Sequence, residues 1–152
     1  MSPTTFKTTA VAGLIATFVM TLTGFWQAGL GLPAFDVGAV MAGGMTSAHP
    51  DMPYSLVGGN LVHFGNGTLM ALVWVAFLQN RVPGNWIVQG LIFAVILSLL
   101  ASVVVVPLAA GVGIFFSNTP APMSMLLGAT VIHIAYGLTL TLTLKVADVN
   151  NP

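Results

Sequence analysis

Two histidines lie inside long apolar segments, and each has the same kind of neighbours. Residues 56–72 read LVGGNLVHFGNGTLMAL and residues 126–142 read LLGATVIHIAYGLTLTL, so His63 and His133 align without a gap. Residues three and four apart share one face of a helix. Each histidine therefore belongs to a narrow polar stripe on an apolar helix. The stripe comprises Asn60, His63, Asn66, Thr130, His133 and Tyr136.

The chemistry open to the histidine pair is axial ligation of a haem iron or hydrogen bonding. Two neutral imidazoles at one height on parallel helices can bind iron, which makes a haem b between His63 and His133 one hypothesis. Against it, the apolar segments contain no Lys or Arg to hold the propionates. The interpretation we favour has no cofactor, and His63 hydrogen-bonds to other members of the stripe across a tight interface. That interface would be formed by Gly59, Gly67, Ala129 and Gly137.

A second group of candidate ligands precedes the first histidine segment. The sequence MAGGMTSAHPDM supplies Met41, Met45, His49 and Met52, and Met123 and Met125 fall on the same side of the chain's apolar segments. Thioethers together with an imidazole suit Cu(I). Methionine is equally a flexible filler of irregular apolar loops, and we favour that interpretation.

Catalytic signatures are absent from the sequence. It contains no HExxH, GxSxG or P-loop pattern and no cysteine. Its acids, Asp36, Asp51 and Asp148, are too few and too scattered for a mechanism with paired carboxylates. We therefore expect a protein without enzymatic activity.

The composition indicates an integral membrane protein. Hydrophobic residues make up 57% of the 152 positions and charged residues only 4%, against about 25% charged residues in a typical soluble domain. Lipid is the solvent in which such an apolar exterior carries no cost. The formal net charge is zero, so the composition does not indicate nucleic acid as a partner.

Four apolar segments are long enough to cross a bilayer, which takes about 20 residues per helix. They cover residues 10–30, 54–78, 86–110 and 123–144, joined by loops at 31–53, 79–85 and 111–122. GLIATFVMTLTG in the first segment also matches GLIFAVILSLLA in the third, which pairs Thr21 with Ser98. The sequence thus predicts an all-α, four-helix transmembrane bundle made of one domain, residues 1–152. It would consist of a duplicated two-helix hairpin, with repeats at residues 10–78 and 86–144.

The charged residues predict the orientation of the bundle. Four crossings put Lys7, Arg81 and Lys145 on one side, and His49 and the acids of the outer loop on the other. Basic residues mark the cytoplasmic side, so both termini are expected to lie inside the cell. Lys7 followed by an apolar run also resembles a signal peptide, but the run is longer than a typical h-region.

Several motifs carry a resemblance. They are the GLIATFVMT opening, LPAFDVGAVMAG, LVHFGNG, the VPG turn, GLIF followed by VVVPLAAGVGIF, and the closing HIAYG. Through them the chain resembles a family of small bacterial inner-membrane proteins described as a domain of unknown function. The resemblance implies four helices and a location in the bacterial inner membrane, and it implies no activity.

Two classes of function follow. The first is a non-enzymatic accessory subunit that associates with itself or with a larger membrane complex, such as a respiratory one. The second is a protein that binds haem b, or binds or conducts a small solute, through His63 and His133. We also expect His63→Ala to reduce folded yield more than His133→Ala, because two amide side chains, Asn60 and Asn66, flank His63.

Overall fold

Helices make up most of the computed structural model, which describes residues 1–42 and 53–147, the side chains of residues 53–56 excepted. The helices are α1 (Pro3–Trp26), α2 (Val37–Met41), α3 (Pro53–Val73), α4 (Trp86–Leu100), α5 (Val106–Ala110) and α6 (Pro122–Val146). No strand occurs in this part of the chain. Four helical segments are long and apolar enough to cross a membrane: Pro3–Leu30, Val57–Leu78, Trp86–Ala110 and Pro122–Val146.

The first span begins at Pro3, ahead of the apolar run that starts at residue 10. The Ser2 hydroxyl accepts a hydrogen bond from the backbone N–H of Thr5 at 3.1 Å, and Pro3 occupies the first helical turn. A serine cap followed by proline stabilises the start of a helix, because the cap pairs an N–H that has no partner within the helix. The polar residues before residue 10 are therefore helical.

The loop after α1 contains the short helix α2, which the apolar pattern did not predict. The Asp36 carboxylate accepts a hydrogen bond from the Ala39 N–H at 3.0 Å and caps this helix. Just before it, the Phe35 N–H donates to the carbonyl of Gly24 at 2.8 Å. The loop thus folds back against the carboxyl-terminal end of α1.

Two of the long helices widen into a π-helical turn. Trp74–Leu78 continues α3, and Ala101–Val105 joins α4 to α5. In the second case the cause lies in the sequence: Pro107 has no N–H to donate to the carbonyl of Val103, and its ring crowds that carbonyl. The span Trp86–Ala110 nevertheless stays helical throughout.

The helices pack in a row that curves back on itself. α6 lies along both α1 and α4, and α1 lies along α3, which also carries α2. α3 and α4 therefore stand at the two ends of the row. They meet where the Trp74 and Phe93 rings stack with centroids 4.5 Å apart.

The surface of the row is apolar along its length and basic at one end. Large exposed side chains include Phe18, Leu61, Val95 and Leu108. Lys145 lies above the ring of Trp86, beside the turn that carries Arg81. Lys7 is at the same end, because the start of α1 borders Phe77. Asp36 caps α2 at the opposite end.

Candidate functional site

A cavity of about 180 Å³ lies between α3, α4 and α6, and both histidines line it. Phe35 and Phe116 line the end of the cavity next to α2, and their rings meet edge to face with centroids 6.0 Å apart. Tyr136 lines the cavity at its other end and packs towards Phe93, with the ring centroids 6.1 Å apart. The remaining lining is mainly apolar and includes Met20, Val40, Met70, Leu97, Ala101 and Ile132.

His63 is buried and hydrogen-bonded to α1. Its Nε2 lies 3.1 Å from the hydroxyl oxygen of Thr21. That hydroxyl donates its one hydrogen to the carbonyl of Thr17, at 2.9 Å. With the hydroxyl hydrogen assigned to the Thr17 carbonyl, the imidazole is the donor in the His63–Thr21 bond, so the proton is on Nε2 and Nδ1 is the acceptor nitrogen.

His133 has the opposite tautomer. Its Nδ1 lies 2.6 Å from the backbone carbonyl of Ala129, one turn earlier in α6. A carbonyl only accepts, so Nδ1 carries the proton and Nε2 is the acceptor nitrogen of the neutral ring. Each histidine thus donates its N–H to another group of the protein, and its second ring nitrogen remains a hydrogen-bond acceptor.

Tyr136 links α6 to α3. Its hydroxyl donates to the carbonyl of Gly67 at 2.5 Å. The two histidine helices, which we expected to lie in contact, are therefore joined by a side chain and do not pack along each other. α1 fills the position between them.

The other members of the predicted stripe lie apart. The Thr130 hydroxyl bonds to Ser98 of α4 at 3.1 Å and to the carbonyl of Leu126 at 2.8 Å. The Asn60 amide covers Gly38 of α2. Asn66 is exposed at the edge of the cavity. His63 donates a hydrogen bond to the Thr21 hydroxyl of α1, which is outside the stripe.

The small residues of the histidine helices were expected to bring these two helices together, but they contact other helices instead. A side chain on Gly67 would overlap the hydroxyl of Thr17, and one on Gly137 would overlap the backbone of Gly90. Gly59 receives the backbone of α2, and Ala129 lines the cavity. These positions thus seat α1, α4 and α2 against the histidine helices.

One close approach in each of the two helix pairs falls at matched positions of the sequence. A Cβ on Gly13 would lie 2.9 Å from the Cβ of Ala71, and one on Gly90 would lie 2.7 Å from the Thr141 hydroxyl. Gly13 and Gly90 begin the matched GLI motifs, and Ala71 and Thr141 align in the histidine segments. Equivalent residues therefore hold α1 against α3 and α4 against α6.

The methionine and histidine residues proposed as Cu(I) ligands fall only partly within the described residues. Met45, His49 and Met52 lie outside the described residues, whereas Met41 lines the cavity and Met123 is 68% exposed. Within residues 1–42 and 53–147, no group of three His, Cys, Asp or Glu residues is arranged to hold a metal ion.

Thr21 is the site residue that the stripe did not include. Its signal was present in the match between the first and third segments, which pairs Thr21 with Ser98. Both hydroxyls make a hydrogen bond to a histidine helix, Thr21 to His63 and Ser98 to Thr130.

Comparison with protein-family models, curated proteins and solved structures finds no match to this chain.

Proposed function

We propose that this chain is a non-enzymatic, multi-pass protein of the bacterial inner membrane that binds a small membrane-soluble molecule in the histidine cavity. Four long apolar helical segments support the membrane location. The three basic side chains at one end support a cytoplasmic position for both termini. The cavity is partly open to the surface of the bundle, which would give a ligand a route from the lipid.

The cavity carries the proposal. An engineered apolar cavity of about 150 Å³ binds benzene, so the volume of about 180 Å³ suits one six-membered ring. The acceptor nitrogens, Nδ1 of His63 and Nε2 of His133, could each accept a hydrogen bond from a ligand with a hydroxyl or N–H group. The ligand class is therefore a ring-sized apolar molecule with a hydrogen-bond donor, such as a phenol or a hydroquinone.

Haem b fits these observations less well. Its macrocycle is several times larger than one aromatic ring, and Nε2 of His63 is committed to Thr21. The described lining also contains no Lys or Arg for the propionates. A Soret band in the purified protein that disappears in both His63→Ala and His133→Ala would favour haem over the smaller ligand.

Ligand binding can be tested with the purified protein in detergent, using 4-propylphenol and its methyl ether 4-propylanisole. We expect the phenol to raise the unfolding temperature and to bind about fivefold more tightly than the ether, since one hydrogen bond is worth about 1 kcal/mol. Ala101→Leu, which fills the cavity, should abolish this stabilisation, and Leu108→Ala on the surface should not. Equal binding of both probes, or binding that survives Ala101→Leu, would reject the site.

An accessory role is a second proposal, supported by the outer face of α3. Only 17% of this span is buried, against 44% of the α6 span. Gly58 and Gly65 face open space there, so the helix backbone is accessible to another apolar helix. Purification in mild detergent tests the role: an accessory subunit co-migrates with a partner complex or as an oligomer, whereas a lone ligand-binding protein runs as a monomer.

Duplication of a two-helix hairpin is part of the same proposal, with repeats at residues 10–78 and 86–144. The matched glycine contacts of the two helix pairs support it. Membership of the family of small bacterial inner-membrane proteins rests on the sequence motifs alone and is proposed on that basis.

A further inference from the structure

Asn66 is a polar side chain inside an apolar span, at the opening of the histidine cavity. It follows His63 by three residues, which places it one turn later on the same side of α3. Its side chain is exposed and also lines the cavity, so it can reach a ligand that enters there. The histidines are buried deeper, at 5% exposure for His63 and 8% for His133. The cavity therefore has polar groups both in its interior and at its opening.

The Asn66 carboxamide has no hydrogen-bond partner among the described residues. Within the hydrocarbon of a bilayer, an unpaired amide is costly because no water is available to bond it. The carboxamide has two N–H groups and one acceptor oxygen, so it can pair with a hydroxyl or with a carbonyl. Its position indicates a partner from outside the described chain.

The histidine nitrogens that remain free can only accept a hydrogen bond. They are Nδ1 of His63 and Nε2 of His133, since the other nitrogen of each ring donates to the protein. Neither is among the fully enclosed, unpartnered polar atoms of the described residues, so each retains surface that a small ligand can reach. A ligand hydroxyl can donate to such a nitrogen, whereas a carbonyl oxygen cannot, because both atoms are acceptors. The interior of the cavity therefore distinguishes a hydroxyl from a carbonyl.

We propose that the cavity selects a 1,4-hydroquinone over a simple phenol and over the corresponding quinone, and that Asn66 determines the specificity for the second hydroxyl. One hydroxyl donates to a histidine nitrogen, and the ring occupies the apolar part of the cavity. The second hydroxyl, on the opposite side of the ring, bonds to the Asn66 carboxamide at the opening. The quinone has no hydroxyl hydrogen for a histidine to accept. This inference rests on the ligand class proposed above.

Thermal unfolding of the purified protein in detergent, under nitrogen, tests the selection with 2-propylhydroquinone, 2-propylphenol and 2-propyl-1,4-benzoquinone. The chain has no cysteine for the quinone to alkylate. The hydroquinone should bind about fivefold more tightly than the phenol, since it gains one hydrogen bond, and about tenfold more tightly than the quinone.

Asn66→Leu should lower the affinity for the hydroquinone to that for the phenol. The matched control is Thr68→Val, which removes a hydroxyl from the same helix outside the cavity lining. That hydroxyl bonds within α3, to the carbonyl of Phe64 at 2.9 Å, so the control should keep the fivefold preference.

Three results would overturn the inference. Equal affinities for hydroquinone and phenol, or a preference that persists in Asn66→Leu, would remove the role of Asn66. Quinone binding as tight as hydroquinone binding would contradict selection of the reduced form. Conversion of an oligomer into a monomer by Asn66→Leu, with ligand affinities unchanged, would identify another helix as its partner. If 4-propylphenol stabilises the protein but the second hydroxyl adds nothing, only the role of Asn66 fails, whereas no binding of any probe rejects the cavity as a ligand site.

Discussion

The hydroxyl of Tyr136 and the carbonyl of Gly67 lie 2.5 Å apart, which joins α6 directly to the backbone of α3. α1 packs between these helices along most of their length, so the bond reaches across one side of the row. Tyr136 also lines the histidine cavity, so the same side chain links two of the helices that form the cavity walls.

Tyr136→Phe should lower the free energy of unfolding by about 1 kcal/mol, since it removes one hydrogen bond between helices and leaves the ring in place. Thermal unfolding in detergent, followed by circular dichroism, measures the change. Thr143→Val is the matched control, because that hydroxyl bonds only within its own helix, to Thr139 at 2.7 Å. Equal effects of the two substitutions would mean that the Tyr136 bond contributes nothing between helices.

Gly137→Ala should destabilise the protein by about 1–3 kcal/mol, because the new methyl group has no space against Gly90 and the helices must move apart. Gly65→Ala has open space and should be neutral or stabilising by up to about 1 kcal/mol, since alanine favours the helix. Unfolding temperatures of the two variants decide this. A Gly65 variant as unstable as the Gly137 variant would show that the outer face of α3 is also packed.

His63→Ala should reduce stability more than His133→Ala, by about 1 kcal/mol. The order agrees with the expectation from sequence, but the reason is different. His63 bonds from α3 to Thr21 of α1, whereas His133 bonds to a carbonyl of its own helix. Folded yield and unfolding temperature of both variants provide the test, and the reverse order would contradict it.

The two buried histidines should show opposite tautomers in ¹⁵N NMR spectra of labelled protein. We expect a proton on Nε2 of His63 and on Nδ1 of His133, as their partners require. Thr21→Val removes the oxygen that fixes His63 and should change only that assignment. Identical tautomers in the unsubstituted protein would remove the argument for a donor-bearing ligand.

Much of the fold could be predicted from the sequence, because length and apolar composition alone identify helices that can cross a membrane. The ends were less predictable. The cap at Ser2 extends the first helix into polar residues, and Asp36 starts a helix inside a loop rich in glycine and methionine. In both places one side chain accepts a backbone N–H, a local effect that hydropathy does not register.

The candidate site was predictable in its histidines but not in their partners. When a helix is apolar on every face, its sequence has no alternation of apolar and polar residues that would indicate which face packs on which neighbouring helix. Gly67 and Gly137 were expected to bring α3 and α6 together, and instead they admit α1 and α4. Thr21 faces His63 because of the orientation of α1 about its own axis. That orientation depends on how all four long helices pack.

The cavity between α3 and α4 gives the bundle a direction in which it can be compressed. The helices of each pair, α1 with α3 and α4 with α6, already approach closely at their glycines, which leaves them little room to move nearer there. The void of about 180 Å³ is the volume that hydrostatic pressure can remove most easily. If the helices span a membrane as proposed, lateral pressure from tightly packed lipids would draw α3 and α4 together and shrink the cavity, so its volume would depend on the surrounding lipid.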